Sequence, residues 1–531
     1  MKTKENIKTK KEALTAQKNM AYLGLFNSID HNKEGIIQPY QFWNELKSHG
    51  ILADDPRLKD INDNLKKEKL KNRKGITFEL FSKCIDQSIL LTKSLKGELV
   101  IPDFKSFTDE IITIYNKLEK NLSGSVANYI PQLARVNPDQ FAVSICTIDG
   151  QRFDYGDFNT DFCLQSTCKP INYCIAHERL GESVVHKHIG REPSGRSFNE
   201  MALNNDGLPH NPLINAGAIM CSSLIERQAP ISDRFDLVMK TWSELSGGFN
   251  PSFNNSVYLS EKQTADRNFA LAYFMREKNA FPENTNLIET LEFYFQCCSI
   301  EVKSPSMASA AATLANGGVN PLTGKNVFNS STVKNCLSLM NSCGMYDFSG
   351  EYAFKIGFPA KSGVSGAMMI VIPNVMGICV WSPNLDELGN SVRGVEFSKM
   401  FGERFNFHNY DSLINGNDKL DPRKSKYENK IDGVISLIYA ASLGDIDEIK
   451  KLEARGIDLN SADYDGRTAL HLAASEGHKE VVEYLINRNT TANLKDRWGG
   501  SPIEDAKRSN HRNIVKILEE YLSNQFKLEN K

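Results

Sequence analysis

Four absences narrow this 531-residue chain before any motif is read. No apolar run approaches the ~18 residues of a membrane-spanning helix. Neither sign of charge dominates. Its 63 Lys and Arg face 65 Asp and Glu, for a formal net charge of -2, so no net basic balance suits it to nucleic acid or an anionic membrane surface. Eleven cysteines are present, yet none form a C-x-x-C pair, and most sit in apolar runs such as FAVSIC and MGICVW. That pattern argues against zinc ribbons and a disulfide framework and predicts buried free thiols in a reducing compartment. The N-terminal stretch as it stands does not read as an Arg-rich, acid-poor presequence, and none is expected: Glu5 and Glu12 interrupt the N-terminal lysines, and the first arginine is Arg57. The compartment is expected to be cytoplasmic or mitochondrial. Hydrophobic residues at 40% and charged residues at 24% are globular proportions, in a chain suited to about three domains of ~100–200 residues.

Residues 1–18 read as a solvated tail. A helical, EF-hand-like domain is expected over 19–103. Its loop from Asp30 to Gln41 has oxygen ligands at positions 1, 3 and 5 and Gly35 at position 6, but Gln41 stands where a bidentate glutamate is needed. A second stretch, LKNRKGITFELF, keeps Gly75 without early carboxylates. Calcium binding is therefore not expected, nor is any metal or cofactor. Over 104–406 an amphipathic helix (about 106–121) precedes QFAVSICTI and QRFDYGD, which meet at Asp149-Gly150 as a hairpin. A long helical insertion follows. Three strand-like segments (AFKIGFPAKSG, GAMMIVIPN, MGICVWSP) and a final helix close the region. This order predicts a multidomain α+β protein whose central domain is an antiparallel sheet flanked by helices. Residues 407–430 read as a polar linker. Over 431–523, Arg467-Thr468-Ala469-Leu470-His471-Leu472-Ala473 matches the ankyrin signature, with Gly444 and Gly477, His478 and His511, and Leu452, Leu485 and Leu518 spaced by 33. A short tail, 524–531, ends the chain.

The chemistry is expected at Ser166-Thr167-Cys168-Lys169. S-x-x-K at a helix start puts hydroxyl and amine one turn apart on one face. Serine is a poor nucleophile until a base takes its proton, and lysine can be that base if desolvation lowers its pKa. Lys361-Ser362-Gly363, on a later edge strand, would add a second cation and, with the N–H groups of Val364 and Ser166, an oxyanion hole. A second S-x-x-K, Ser331 to Lys334, reads as a helix N-cap. Order and spacing match the serine β-lactamase and penicillin-binding-protein arrangement, although its S-D-N motif is missing.

Longer motifs carry a closer likeness. NYIPQLA (128–134), FCLQSTCKP (162–170), PHNPLINAGAI (209–219), DRNFA (266–270), CGMYDFSG (343–350) and PAKSGVSG (359–366) resemble glutaminases of the kidney and liver type. The resemblance implies a β-lactamase-like catalytic domain and hydrolysis of L-glutamine to glutamate and ammonia through a glutamyl ester. By it, Ser166 is the nucleophile, Lys169 the base, and Tyr294 and Tyr346 proton relays or supports. Tyr129, Asn215, Glu261, Asn268 and Val364 fall at substrate-binding positions. Residue pattern alone reads Tyr294 as helix core, Glu261 as a helix N-terminal acid, Asn215 and Asn268 as turn or cap residues, and Tyr129 as seating the IPQL turn. The resemblance further implies a homotetramer, inorganic phosphate as activator, and a gating loop near 195–208, where Met201 and Ala202 depart from the usual bulkier residues. Ankyrin repeats imply a protein partner. Two alternatives are a catalytically dead ankyrin scaffold and an amidohydrolase acting on another amide.

Overall fold

The computed structural model describes residues 22–30, 32–72, 75–195, 200–413, 419–424, 426–454, 457–488 and 490–529. The expected tail at 1–18 and residues 196–199 of the expected gating loop lie outside them, as do parts of the 407–430 linker. Two compact units divide the chain, the first being essentially everything up to Glu403 and the second mainly Tyr410–Lys531.

The first unit opens with the EF-hand-like helices. Short strands β1 (Ile36–Ile37) and β2 (Ile76–Thr77) pair antiparallel over a core that includes Phe26, Phe42, Leu46 and Phe81. Two of the would-be cation ligands, Asp30 and Gln41, are engaged locally. Asp30 accepts hydrogen bonds from the N–H groups of Glu34 (3.1 Å) and Gly35 (2.7 Å), and the Gln41 side chain accepts from the Gln38 N–H (2.8 Å), closing a helix cap. The loop keeps its shape through its own backbone.

A five-stranded antiparallel sheet, in order β4-β3-β10-β9-β8, is the frame of the middle region. Its strands are β3 (Ala142–Thr147), β4 (Arg152–Gly156), β8 (Ala360–Ser362), β9 (Ala367–Ile372) and β10 (Met376–Trp381). The β3–β4 hairpin turns where Asp149-Gly150 predicts, with Gly150 in the left-handed region (φ 88°). It uses a three-residue loop closed by the Gly150 N–H to the Thr147 carbonyl (2.9 Å). The alanine-rich helix Ser304–Ala315 lies against β10 so closely that a Cβ on Gly377 would run into the helix backbone at Ala308–Ala312. Small residues on both elements permit that approach. The insertion between β4 and β8 is mostly helical, with a minor sheet β5-β7-β6 from Phe162–Cys163, Ile300–Val302 and Ser252–Phe253.

Two local expectations need correction. Residues 353–355 of AFKIGFPAKSG are the end of a helix, Ser349–Lys355; Gly357 at φ 78° ends it, and only Ala360–Ser362 joins the sheet. Asn329 holds the N-cap position of helix Ser330–Cys343, so Ser331 lies inside its first turn.

The second unit stacks helical pairs. Thr468 and Ser501 each head a capping box, and the repeats interlock identically. His478 bonds the Ser442 carbonyl (2.8 Å), and His511 bonds that of Ser475 (3.0 Å). One continuous apolar core, including Leu437, Leu452, Leu470, Leu485 and Leu518, runs through the stack.

Candidate active site

Ser166 sits where an extended segment bends sharply into a helix. Strand β5 is held to β7, and the Leu164 N–H bonds the Ile300 carbonyl (2.8 Å). Gln165 then takes a left-handed conformation (φ 48°), unusual for its type, and residues Gln165–Cys168 form a 3-10 turn leading into helix Lys169–Leu180. That bend presents Ser166, 8% exposed, toward Lys169, which is fully buried.

Lys169 Nζ lies 3.0 Å from Ser166 Oγ and 2.7 Å from Asn215 Oδ1. An amide oxygen only accepts, so one amine N–H is committed to Asn215. A neutral amine then keeps its lone pair for the serine proton. Burial lowers the Lys169 pKa, favouring that neutral form, against smaller opposing effects from Cys298, Cys168 and Glu261. Asn215 is itself oriented: its Nδ2 donates to Asn268 Oδ1 (3.1 Å), and its Oδ1 also accepts from the Tyr294 hydroxyl (3.4 Å).

The 361–364 segment lies against the Ser166 turn. A Cβ on Gly363 would sit 3.0 Å from the Leu164 carbonyl and 3.1 Å from the Thr167 methyl, so the backbone at Gly363-Val364 packs directly on the serine turn. The following loop is pinned by the Trp381 indole N–H to the Ser365 carbonyl (3.0 Å). Lys361, also fully buried, donates to the Ser362 carbonyl (2.6 Å) and stands 4.3 Å over the Tyr346 ring. Desolvation drives its pKa well down, and the charge of Lys169 adds to the effect. Burial pushes the Tyr346 phenol up, opposed by a hydrogen bond with Ser166.

Glu261 is buried near the end of helix Asn255–Gln263, not at its start as pattern alone predicts. Its Oε2 accepts from Gln165 Nε2 (3.3 Å). Burial raises its carboxyl to about 7, with hydrogen bonding from Gln165 and then the Lys169 charge working against it. Tyr294 is a core residue whose hydroxyl reaches Asn215. Tyr129 is 54% exposed; desolvation around its phenol, then the proximity of Tyr346 and Glu261, push it well above the ordinary tyrosine range. Next to Tyr346, a cavity of about 390 Å³ runs to Pro193–Gly195, at the start of the expected gating loop.

A family model for glutaminase matches residues 124–410, one for an EF-hand domain matches 24–102, and one for three ankyrin repeats matches 437–527. Putative glutaminase 3 of Caenorhabditis elegans is 47% identical over 457 residues, covering 84% of this chain and 78% of the relative. The chain belongs to the glutaminase family. The mitochondrial liver isoform of glutaminase from Rattus norvegicus is 44% identical over 84% of this chain and 75% of its own length. A solved structure of a probable glutaminase superposes with a TM-score of 0.53 at 35% identity, over 55% of this chain and 94% of that one.

Sequence reasoning missed Gln165 in this glutaminase. Its role depends on a left-handed backbone that aims the amide at Glu261, and no spacing rule announces that. Lys361 was legible as a second cation, but its seat on the Tyr346 ring was not.

Proposed function

We propose that this chain hydrolyses the side-chain amide of L-glutamine by Ser-Lys catalysis. The observation that carries the reading is a buried amine 3.0 Å from the Ser166 hydroxyl, with its other contact on an acceptor-only oxygen. Lys169 Nζ takes the Oγ proton as Oγ attacks the amide carbon. The resulting oxyanion is held by the N–H groups of Ser166 and Val364, a stabilisation worth about 3 kcal/mol per donor. The C–N bond then breaks as Lys169 returns the proton to nitrogen, releasing ammonia and leaving a glutamyl ester on Ser166. Water attacks that ester with Lys169 again as base, giving glutamate and free serine. Tyr346 and Tyr294 relay protons or hold the lysine. Glu261 receives the substrate ammonium, while Asn215, Asn268 and Tyr129 orient the carboxylate and backbone of the amino acid.

The same reading assigns chemistry to residues 104–406 and surface recognition to the ankyrin repeats. It extends to a homo-oligomer, a tetramer by the likeness, with phosphate as activator and a cytoplasmic or mitochondrial compartment. The decisive experiment is ammonia release from glutamine by the purified chain, with and without phosphate and with asparagine as control. Release from glutamine that Ser166→Ala abolishes supports the reading. No release under any phosphate concentration refutes it and leaves the inactive scaffold. Light scattering and a fluorescent fusion imaged in cells test assembly and compartment.

A further inference from the structure

A second cavity, about 880 Å³, lies away from Ser166, between the EF-hand-like helices and the outer edge of the main sheet. Its volume falls within the ~300–1,000 Å³ of small-molecule sites. The walls are largely apolar: Leu52 from the EF-hand-like helices, Phe104 from the helix Phe104–Leu118 that follows them, Phe153 from β4, and Phe249 and Leu322 from the insertion. Phe249 is 49% exposed and follows Gly247 and Gly248, both left-handed (φ 78° and 97°), so an aromatic ring carried on a tight loop lines the cavity.

The charges on this cavity are lopsided. Lys47, Lys105 and Lys303 all line it, all are exposed, and none has an ion-pair partner among the described residues. Of the two acids that line it, Asp54 is bound to Arg152 (2.5 Å), and Asp154 is shifted toward its neutral form by burial, against hydrogen bonding from Ser144. An apolar chamber lined by three exposed ammoniums without ion-pair partners among the described residues complements one ligand chemistry, an apolar tail carrying an anionic head. We propose that this cavity binds an amphipathic carboxylate of the fatty-acid type, its chain among Phe104, Phe153 and Leu322 and its head among the three lysines. The ligand would bridge the helical domain and the sheet edge.

Calorimetric titration of the full-length protein with decanoate, below its micellar range, tests this. Decanoate should bind saturably at one equivalent per chain. Its methyl ester and decylammonium, with the same tail, should bind at least ~10-fold more weakly. Lys47→Ala combined with Lys105→Ala and Lys303→Ala should weaken decanoate by at least ~10-fold. Ser306→Trp, which places an indole in the chamber, should remove binding. Both variants should keep the wild-type melting temperature within a few degrees and their glutamine turnover. Absence of saturable binding, equal affinity for the ester or the ammonium, or unchanged binding in either variant overturns the proposal.

Discussion

At the scale of single residues, the site is a problem in protonation. Lys169 must be neutral to accept a proton, and burial shifts it toward that form. Ser166→Ala should therefore lower kcat by at least ~10³, and Lys169→Ala by about as much, because the two act as one unit and their losses do not add. Steady-state kinetics checks both, and near-normal turnover in either variant would break the mechanism. Glu261 carries a pH signature of its own. Its carboxyl titrates at about 7 in the folded chain, against an ordinary 4.5. The stability this group contributes is thus fully present below about 4.5 and is lost as pH rises through 7. A substrate ammonium needs the ionised form, so KM for glutamine should fall as pH rises from 6 to 8. Glu261→Gln should raise KM at least ~10-fold, with a smaller effect on kcat, and flatten that dependence. A pH profile of KM unchanged by the substitution would remove Glu261 from the ammonium site. The Ser166 and Lys169 pairing was legible because S-x-x-K fixes a one-turn separation by helix geometry alone. Asn215, Asn268, Tyr294 and Glu261 were reached only through the family likeness. They come from four separate helices, and no local spacing reports on packing between elements.

At the scale of elements, legibility followed local backbone chemistry. Asp149-Gly150 announces a turn, and the β3–β4 hairpin lies on either side of it. Residues 353–355 misled because aromatic and aliphatic residues next to a true strand look extended, whereas the helix depends on the packing of Tyr352 in the interior. The fit between helix Ser304–Ala315 and β10 was invisible in sequence, since a glycine in a strand states no partner. It makes a sharp prediction. Gly377→Ala drives a methyl group into backbone rather than into a yielding side chain, at a cost of about 1–3 kcal/mol. Melting temperature should fall by several degrees. An unshifted melting temperature would mean that helix and strand are farther apart than described.

For the whole molecule, the 33-residue period made the ankyrin repeats legible because each repeat reuses the same contacts, down to the histidine–carbonyl bonds of His478 and His511. The EF-hand-like domain was legible in outline, and its expected failure to bind calcium is open to a direct test. Gln41 brings no charge to position 12, and the Asp30 carboxylate caps its own loop. Millimolar calcium should leave both melting temperature and glutamine turnover unchanged; a stabilisation that saturates with calcium would contradict this. Truncation before residue 431 should preserve kcat per chain, because the proposed site is built entirely within the first unit. A large loss of kcat in a truncated protein of unchanged oligomeric size would assign the repeats a part in the chemistry.

The central claim, that the hydroxyl of Ser166 attacks the substrate after its proton passes to Lys169, is tested most directly by covalent labelling. A diazoketone analogue of glutamine alkylates whichever nucleophile the site activates, and peptide mass spectrometry then locates the adduct. The predicted result is a single adduct on Ser166, formed at least ~10²-fold more slowly in Lys169→Ala. An adduct on another side chain that persists in Ser166→Ala would contradict the account.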